Sequence, residues 1–341
     1  MKTKWKYRVG DLLAGTVIGV AVVLACRVLV PADLGLVGSL ALGMVVGMAA
    51  QMVVSLFFGA FLGSLEVMVP GMFVGMLGML LPIFSFHELG VEIALGAMLG
   101  LVVFFGFAIW DERLRGKLLS VQTPKQLAIV AATVKQSAAL SSGWWNAPWL
   151  YNALEGAGAT RRAPPQRELF RAMQGKVLFA AAGTGLNFPN FPPGKEIVAI
   201  DLSPQMLDAA RARADRYEGH LSLREANVQQ LPFPDECFDT AATASTFCSV
   251  TDPVKGFQEL YRVLKPGGRL LMFEHVRSRN PVLGAELDLL NVALRRLGPE
   301  MNRDTVANVQ RAGFVVDRVV CVYLDIFLAI EAYKSVHAAS A

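Results

Sequence analysis

The segment Val177-Leu178-Phe179-Ala180-Ala181-Ala182-Gly183-Thr184-Gly185-Leu186-Asn187 passes from an apolar run into a cluster of small residues. Read as a strand turning into a helix, it lets a ligand lie close against the backbone. The next apolar run, Ile197–Ile200, ends at Asp201, 16 residues beyond Gly185. A carboxylate placed there accepts both hydroxyls of a ribose. Nicotinamide enzymes use the same pair of features, but Phe188 stands where a dinucleotide fingerprint has its third glycine, which argues against that cofactor.

Outward from this segment, short strand-like runs at Val177–Ala181, Ile197–Ile200, Leu221–Arg224, Thr240–Thr243 and Leu270–Phe273 alternate with helical patterns. Such alternation predicts βαβ units and a parallel sheet covered on both faces. The last two runs, Phe314–Tyr323 and Phe327–Tyr333, are joined by Leu324-Asp325 and predict an antiparallel hairpin at one edge. The expected fold is α/β doubly wound and Rossmann-like, seven-stranded with an antiparallel C-terminal hairpin. Further features follow in order: Asn227-Val228 after the third strand, Cys237-Phe238-Asp239 into the fourth, Cys248-Ser249-Val250-Thr251-Asp252-Pro253 after it, and Leu260-Tyr261-Arg262-Val263-Leu264-Lys265-Pro266-Gly267-Gly268-Arg269-Leu270 into the fifth.

With Asp201 and Asp239 in register, the string Val263-Leu264-Lys265-Pro266-Gly267-Gly268 resembles class I S-adenosylmethionine-dependent methyltransferases over about residues 144–334. Phe247-Cys248-Ser249-Val250, Phe273-Glu274-His275-Val276 and Asn302-Arg303-Asp304-Thr305 before Ala312-Gly313-Phe314 are similar to a type 11-like group of membrane-associated enzymes. That group acts on phospholipid amines, lipophilic thiols and, more distantly, quinones. The resemblance implies S-adenosyl-L-methionine as cofactor. It places the Ala181–Gly185 turn, with Gly183, under the methionine part, Asp201 on the ribose, Leu202 beside the adenine, Asn227 and Val228 flanking it, and Thr243 near the sulfonium. Two positions depart from the family pattern: Phe179 replaces an acidic residue, and Ala181 replaces the first glycine, cheaply if its φ stays negative.

Methyl transfer from a sulfonium needs alignment more than acid–base help, because the cofactor carries its own leaving group. A base is needed when the acceptor holds a proton at neutral pH. Cys248, Glu274 and His275 follow the fourth and fifth strands, at the sheet end where such folds bind ligands. His275 is the best base by its ordinary pKa; a purely structural role for Glu274 and His275 is the alternative. Cys248 reads better as a wall residue than as a nucleophile, since nothing nearby in sequence lowers its pKa. Asn302 and Asp304 read as caps of the helix before Gly313, and Lys265 and Arg269 as solvated or close to lipid phosphates.

Residues 1–118 lie outside the resemblance and hold most of the apolar excess. Runs at Leu12–Val30, Leu36–Phe57, Val67–Ile83 and Val91–Trp110 have the length of bilayer-spanning helices and predict an all-α transmembrane four-helix bundle. Lys2, Lys4, Lys6 and Arg8 at the head and Arg113, Arg115 and Lys117 at the exit are basic, whereas the loops around Pro31–Leu34 and Ser85–Glu92 lack Lys and Arg. With an even number of spans, both termini and the C-terminal domain face the cytoplasm of a cell (inner) membrane; the first run is too long for a cleaved signal peptide. Pairs Gly15/Gly19, Gly43/Gly47, Gly71/Gly75 and Gly96/Gly100 predict close helix packing within the bundle and offer an oligomer interface as well. Residues 119–172 read as a connector: an interfacial helix from Thr123-Pro124 to Leu140, then Trp144, Trp145, Trp149 and Tyr151 as a belt, lid or packing, and a hinge at Arg161-Arg162-Ala163-Pro164-Pro165. The cofactor domain is then residues 173–341.

Composition agrees with this division. Of 341 residues 54% are hydrophobic and 18% charged, which excludes a disordered chain or a coiled coil. A net charge of +4 gives no reason to expect nucleic acid as a partner. Four scattered cysteines with no C-x-x-C pattern speak against a zinc site or a disulfide framework, and no metal is expected. The expected partners are a lipid bilayer and a lipophilic small-molecule acceptor. Methionine stripes at Met44, Met48, Met52 and at Met68, Met72, Met76 leave open an alternative, a transporter or metal-handling protein with a degenerate, regulatory methyltransferase-like domain; flexible Met filling gaps beside glycine is the plainer reading.

Overall fold

The computed structural model describes residues 2–31, 33–78, 80, 88–121, 147–294 and 300–336. The chain divides into two units, Met1–Arg113 with Ala153–Arg162, and Leu114–Asn152 with Ala163–Ala341. The expected helix over 123–140, and Trp144 and Trp145, lie outside the described residues.

In the first unit the apolar runs form helices α1 (Lys2–Leu29), α2 (Gly35–Leu62), α3 (Ser64–Gly78) and α4 (Leu89–Leu114). Three are long and apolar enough to cross a membrane, over Trp5–Leu29, Gly35–Leu62 and Leu89–Leu114. The 15 residues of α3 rise only about 22 Å, short of a hydrocarbon core of about 30 Å. The run expected to end at Ile83 extends past Gly78 outside the described residues, so four spans are not established. The paired glycines do pack helix on helix: a Cβ at Gly19 would lie 1.9 Å from the Gly96 carbonyl oxygen, one at Gly100 1.8 Å from that of Gly15, and one at Gly47 2.5 Å from that of Gly75. Only glycine permits these backbone contacts, and in lipid such contacts supply much of the packing energy.

The expected hinge is instead part of a continuous helix, α5 (Pro148–Phe170), with Pro164 and Pro165 inside it. Proline holds φ near the helical value and so tolerates this geometry, at the loss of an N–H. The two preceding arginines are fixed by carboxylates within the first unit. Arg161 forks onto Asp11 with two 2.8 Å bonds, and Arg162 meets Glu66 at 3.1 Å and Glu155 at 2.8 Å.

The second unit is built on a sheet of β1 (Lys176–Ala180), β2 (Glu196–Asp201), β3 (His220–Glu225), β4 (Phe238–Ala244), β5 (Leu264–His275), β6 (Val315–Tyr323) and β7 (Phe327–Tyr333), in the order β3-β2-β1-β4-β5-β7-β6. The pairings among β1 to β5 are parallel, and β7 is antiparallel to both β5 and β6. The expected Rossmann-like sheet with its antiparallel C-terminal hairpin is therefore present. Intervening helices are α6 (Pro204–Ala214), α7 (Pro253–Val263), α8 (Pro281–Leu294) and α9 (Thr305–Arg311). Strand order reverses between β1 and β4, the switch point at which open α/β sheets bind ligands.

Local chemistry explains the element ends. Asp252 caps α7 through Lys255 N–H at 3.0 Å, and Asp304 caps α9 through Ala307 N–H at 3.1 Å. Asn302 does not cap; its amide donates to Asp288 at 2.9 Å. At the Pro266-Gly267-Gly268 turn, Gly267 has φ 76°, which glycine adopts at no steric cost. Lys265, its side chain 46% exposed, also pairs with Asp239 at 2.7 Å, and Arg269 pairs with Glu331 at 2.9 Å. Asp239 also accepts Lys176 N–H at 2.8 Å, and the Lys265 hydrogen bond holds its carboxyl below the usual range.

Candidate active site

The turn after β1 supplies the floor of the site. Ala181, Gly183 and Gly185 have φ of 56°, 55° and 78°. The expectation of a negative φ at Ala181 is thus overturned: the tight departure from β1 requires a left-handed residue, and alanine bears the strain. A Cβ built on Gly183 meets nothing nearer than the Tyr151 ring, 3.8 Å away. The backbone there is open to a ligand.

Asp201, at the end of β2, faces this turn. Its Oδ2 accepts Gly183 N–H at 2.8 Å and its Oδ1 accepts Ser203 N–H at 2.9 Å. Burial raises its pKa, against the lowering effect of the Ser203, Gly183 and Leu202 amides. The amides fix the plane of the carboxylate, and each oxygen retains a lone pair for a further donor. Leu202 beside it is 62% exposed, an apolar surface held at the sheet's edge. On the adjacent strand, Ala226 N–H bonds to Asp201 O at 3.0 Å and brings Asn227 alongside. The Asn227 side chain accepts Gln229 N–H at 2.9 Å. Val228 lies in the same turn and is half-buried. Asp201, Leu202, Asn227 and Val228 thus converge at the carboxyl ends of β2 and β3.

Phe179 is fully buried, with its ring 4.7 Å from Phe191, 6.0 Å from Phe170 and 6.4 Å from Phe188. An aromatic cluster therefore occupies the position where the family pattern has a carboxylate. Two residues that sequence reasoning does not place in the site lie over the turn. Asn152 accepts the Thr184 hydroxyl at 2.7 Å, and Arg213 donates to Thr184 O at 2.7 Å. Tyr151 is visible in the sequence only as part of an aromatic cluster; Asn152 and Arg213 carry no sequence signal.

Glu274 closes the other side. Its carboxylate accepts the Thr243 hydroxyl at 2.8 Å, Thr246 N–H at 3.0 Å and Phe247 N–H at 3.3 Å. Burial pushes its pKa up to about 7, against the lowering effect of these donors. From outside, Arg303 donates to Phe247 O at 2.7 Å and Val250 O at 2.5 Å. The loop after β4 is clamped between an acid and a base, and within it Ser245 holds a strained φ of 52°. Thr243 and Glu274 are thus brought together. His275, the next residue on β5, points to the opposite face, its ring 6.1 Å from that of Phe327. Cys248 is buried and donates to Ser245 O at 3.5 Å, and burial pushes its thiol up to about 12.

A profile described as a methyltransferase domain matches residues 178–272. Those residues contain the turn after β1, Asp201 and the loop after β4. Residues 178–272 are a domain of the S-adenosylmethionine-dependent methyltransferases. The site's adenosine end fits that cofactor, with an amide-oriented carboxylate, an open glycine and an exposed leucine grouped at one sheet edge. Over 139 residues the chain is 40% identical to the ubiquinone/menaquinone biosynthesis C-methyltransferase of Syntrophotalea carbinolica, covering 39% of this chain and 59% of that protein. Over 113 residues it is 37% identical to the demethylmenaquinone methyltransferase of Deinococcus radiodurans, covering 32% and 47%. The chain spans about half the length of the curated relatives it matches. A solved structure of a methyltransferase from Methanosarcina mazei aligns with 51% of this chain and 98% of its own, at 20% identity and a TM-score of 0.41.

Proposed function

We propose that the full protein is an integral-membrane methyltransferase that moves a methyl group from S-adenosylmethionine to a lipophilic, membrane-held acceptor. The carrying observation is the Asp201 carboxylate, oriented by Gly183 and Ser203 beside an open glycine turn. Three helices long and apolar enough to cross a membrane support the siting, because a soluble acceptor gives no reason to hold the enzyme there. Of the phospholipid amine, thiol and quinone classes, the quinone class has the added support of the relatives' printed activities.

The bound cofactor supplies an electrophilic methyl group. Asp201 accepts the ribose hydroxyls, Leu202 and Val228 pack on the adenine, and Asn227 reads its edge. The Ala181–Gly185 turn holds the methionine part without the usual carboxylate, since Phe179 fills that place. Glu274 acts by position: with Arg303 it fixes the loop that lines the acceptor's approach. His275, expected as the base, points to the face of β5 away from Thr243 and Glu274 and is not assigned the proton, and Cys248, held as a neutral thiol, is a wall of the site. With an even number of crossings, the basic head and exit support both termini on the cytoplasmic side.

Titration calorimetry of the purified full chain with S-adenosylmethionine tests the reading. Micromolar affinity is expected, with a weakening of about ten- to a hundredfold in Asp201→Ala. Absence of binding by the wild type at millimolar cofactor would overturn the proposal. Transfer of labelled methyl to a lipid extract then identifies the acceptor.

A further inference from the structure

Three acidic side chains are buried among the described residues of the second unit: Glu274, Glu286 and Asp325. Two have donors. Glu274 holds the loop after β4, and Asp325 accepts the Ser278 hydroxyl at 2.6 Å and Arg279 N–H at 2.7 Å. Glu286 has none among the described residues: it is 4% exposed, and neither carboxyl oxygen has a hydrogen-bond partner. A buried polar group left in this state costs about 1–3 kcal/mol. Nothing in the described fold recovers that cost.

The position of Glu286 is fixed by its helix. Helix α8 starts six residues after His275 and is capped by Asn280, which accepts Val282 N–H at 3.0 Å and Leu283 N–H at 3.1 Å. Towards its other end, Asn291 accepts Met301 N–H at 3.0 Å, and the neighbouring Glu300 N–H reaches Cys248 O at 3.0 Å. One end of α8 is therefore tied to the exit of β5, and the other to the loop leaving β4. Along the helix, Glu286 lies between these two ties. The buried residues beside it on α8 are Leu283, Leu287 and Leu290.

We propose that Glu286 is the polar contact for the acceptor, its carboxyl pairing with a neutral oxygen group, a hydroxyl or carbonyl, on an otherwise apolar molecule held under α8. The inference rests on the methyltransferase reading of the site. Desolvation pushes the Glu286 pKa up to about 9, so at neutral pH the group is a carboxylic acid with one O–H donor and one carbonyl acceptor. A cationic ligand fits less well. A buried ion pair needs further hydrogen bonds on its remaining lone pairs, and Glu286 has no such donors among the described residues.

The test measures binding of 1-naphthol and naphthalene to the full chain in lipid nanodiscs, for wild type, Glu286→Gln and Glu286→Leu. Wild type should prefer the naphthol by about three- to tenfold, the worth of one neutral hydrogen bond. Glu286→Gln should keep that preference within about twofold, and Glu286→Leu should lose it. Equal affinity of the wild type for the two probes overturns the inference without reference to any variant. So does an unchanged preference in Glu286→Leu, or a loss in Glu286→Gln as large as in Glu286→Leu. Tighter wild-type binding of 1-naphthylmethylamine than of 1-naphthol also overturns it, in favour of a cation site. Cofactor titration of the same samples separates the two levels: no cofactor binding by wild type removes the methyltransferase reading, whereas an absent naphthol preference removes only the role of Glu286.

Discussion

Ala181 carries a φ of 56° in the turn that follows β1. A Cβ in this region costs roughly 1–2 kcal/mol, and glycine would not incur that cost. Ala181→Gly should raise the stability of the cofactor domain by about 1 kcal/mol, read as a higher thermal midpoint; a lower midpoint would contradict the strain. Asp201 tests function at the same scale. Its ionised carboxylate is worth about 1.5–3 kcal/mol per partner, so Asp201→Ala should weaken cofactor affinity about ten- to a hundredfold by calorimetry. Glu274 makes stability depend on pH. Its folded pKa of about 7 lies above the ordinary 4.5, so its contribution is complete below about pH 4.5 and is lost as pH rises through 7. Glu274→Gln should remove about one proton's worth of slope, ~1.4 kcal/mol per pH unit between pH 5 and 7, in denaturation midpoints. It should also lower stability overall, because its amide N–H2 would face the Thr246 and Phe247 amides.

Among the elements, α1 and α4 show how spacing becomes contact. A Cβ at Gly100 would sit 1.8 Å from the Gly15 carbonyl oxygen, whereas one at Gly106 on the same helix meets nothing within 4 Å. Gly100→Val should therefore force α1 and α4 apart and lower stability by about 1–3 kcal/mol, while Gly106→Val is neutral. Equal thermal midpoints for the two variants in detergent would contradict the packing. The small-xxx-small pattern was legible because it is local and periodic. The course of α5 was not. Arg161-Arg162-Ala163-Pro164-Pro165 has the composition of a break, yet its arginines are held by Asp11 and Glu66, at sequence separations of 150 and 96 residues. Composition has no means of registering partners so distant.

At the scale of the molecule, hydropathy alone divides the chain. The apolar helices occupy residues 2–114, and the strands begin at Lys176. The basic head and the basic exit of α4 make a directional prediction: reporters fused to the two ends should both be active on the cytoplasmic side. Activity of only one would mean an odd number of crossings, with α3 too short to complete the fourth.

The sequence by itself determined the strand–helix alternation, the edge hairpin, the Gly183–Asp201 pairing of turn and carboxylate, and the cofactor class. The first three follow from residue type and short spacing, which act on a single segment at a time; the cofactor class follows from the resemblance of Val263–Gly268, with Asp201 and Asp239 in register, to a known family. Only the tertiary structure decided that Ala181 is left-handed, that Phe179 belongs to an aromatic cluster, that Glu274 and Arg303 clamp one loop from opposite sides, and that Glu286 is buried with no donor among the described residues. Each depends on which side chains arrive from elsewhere in the chain, and on how much water they displace.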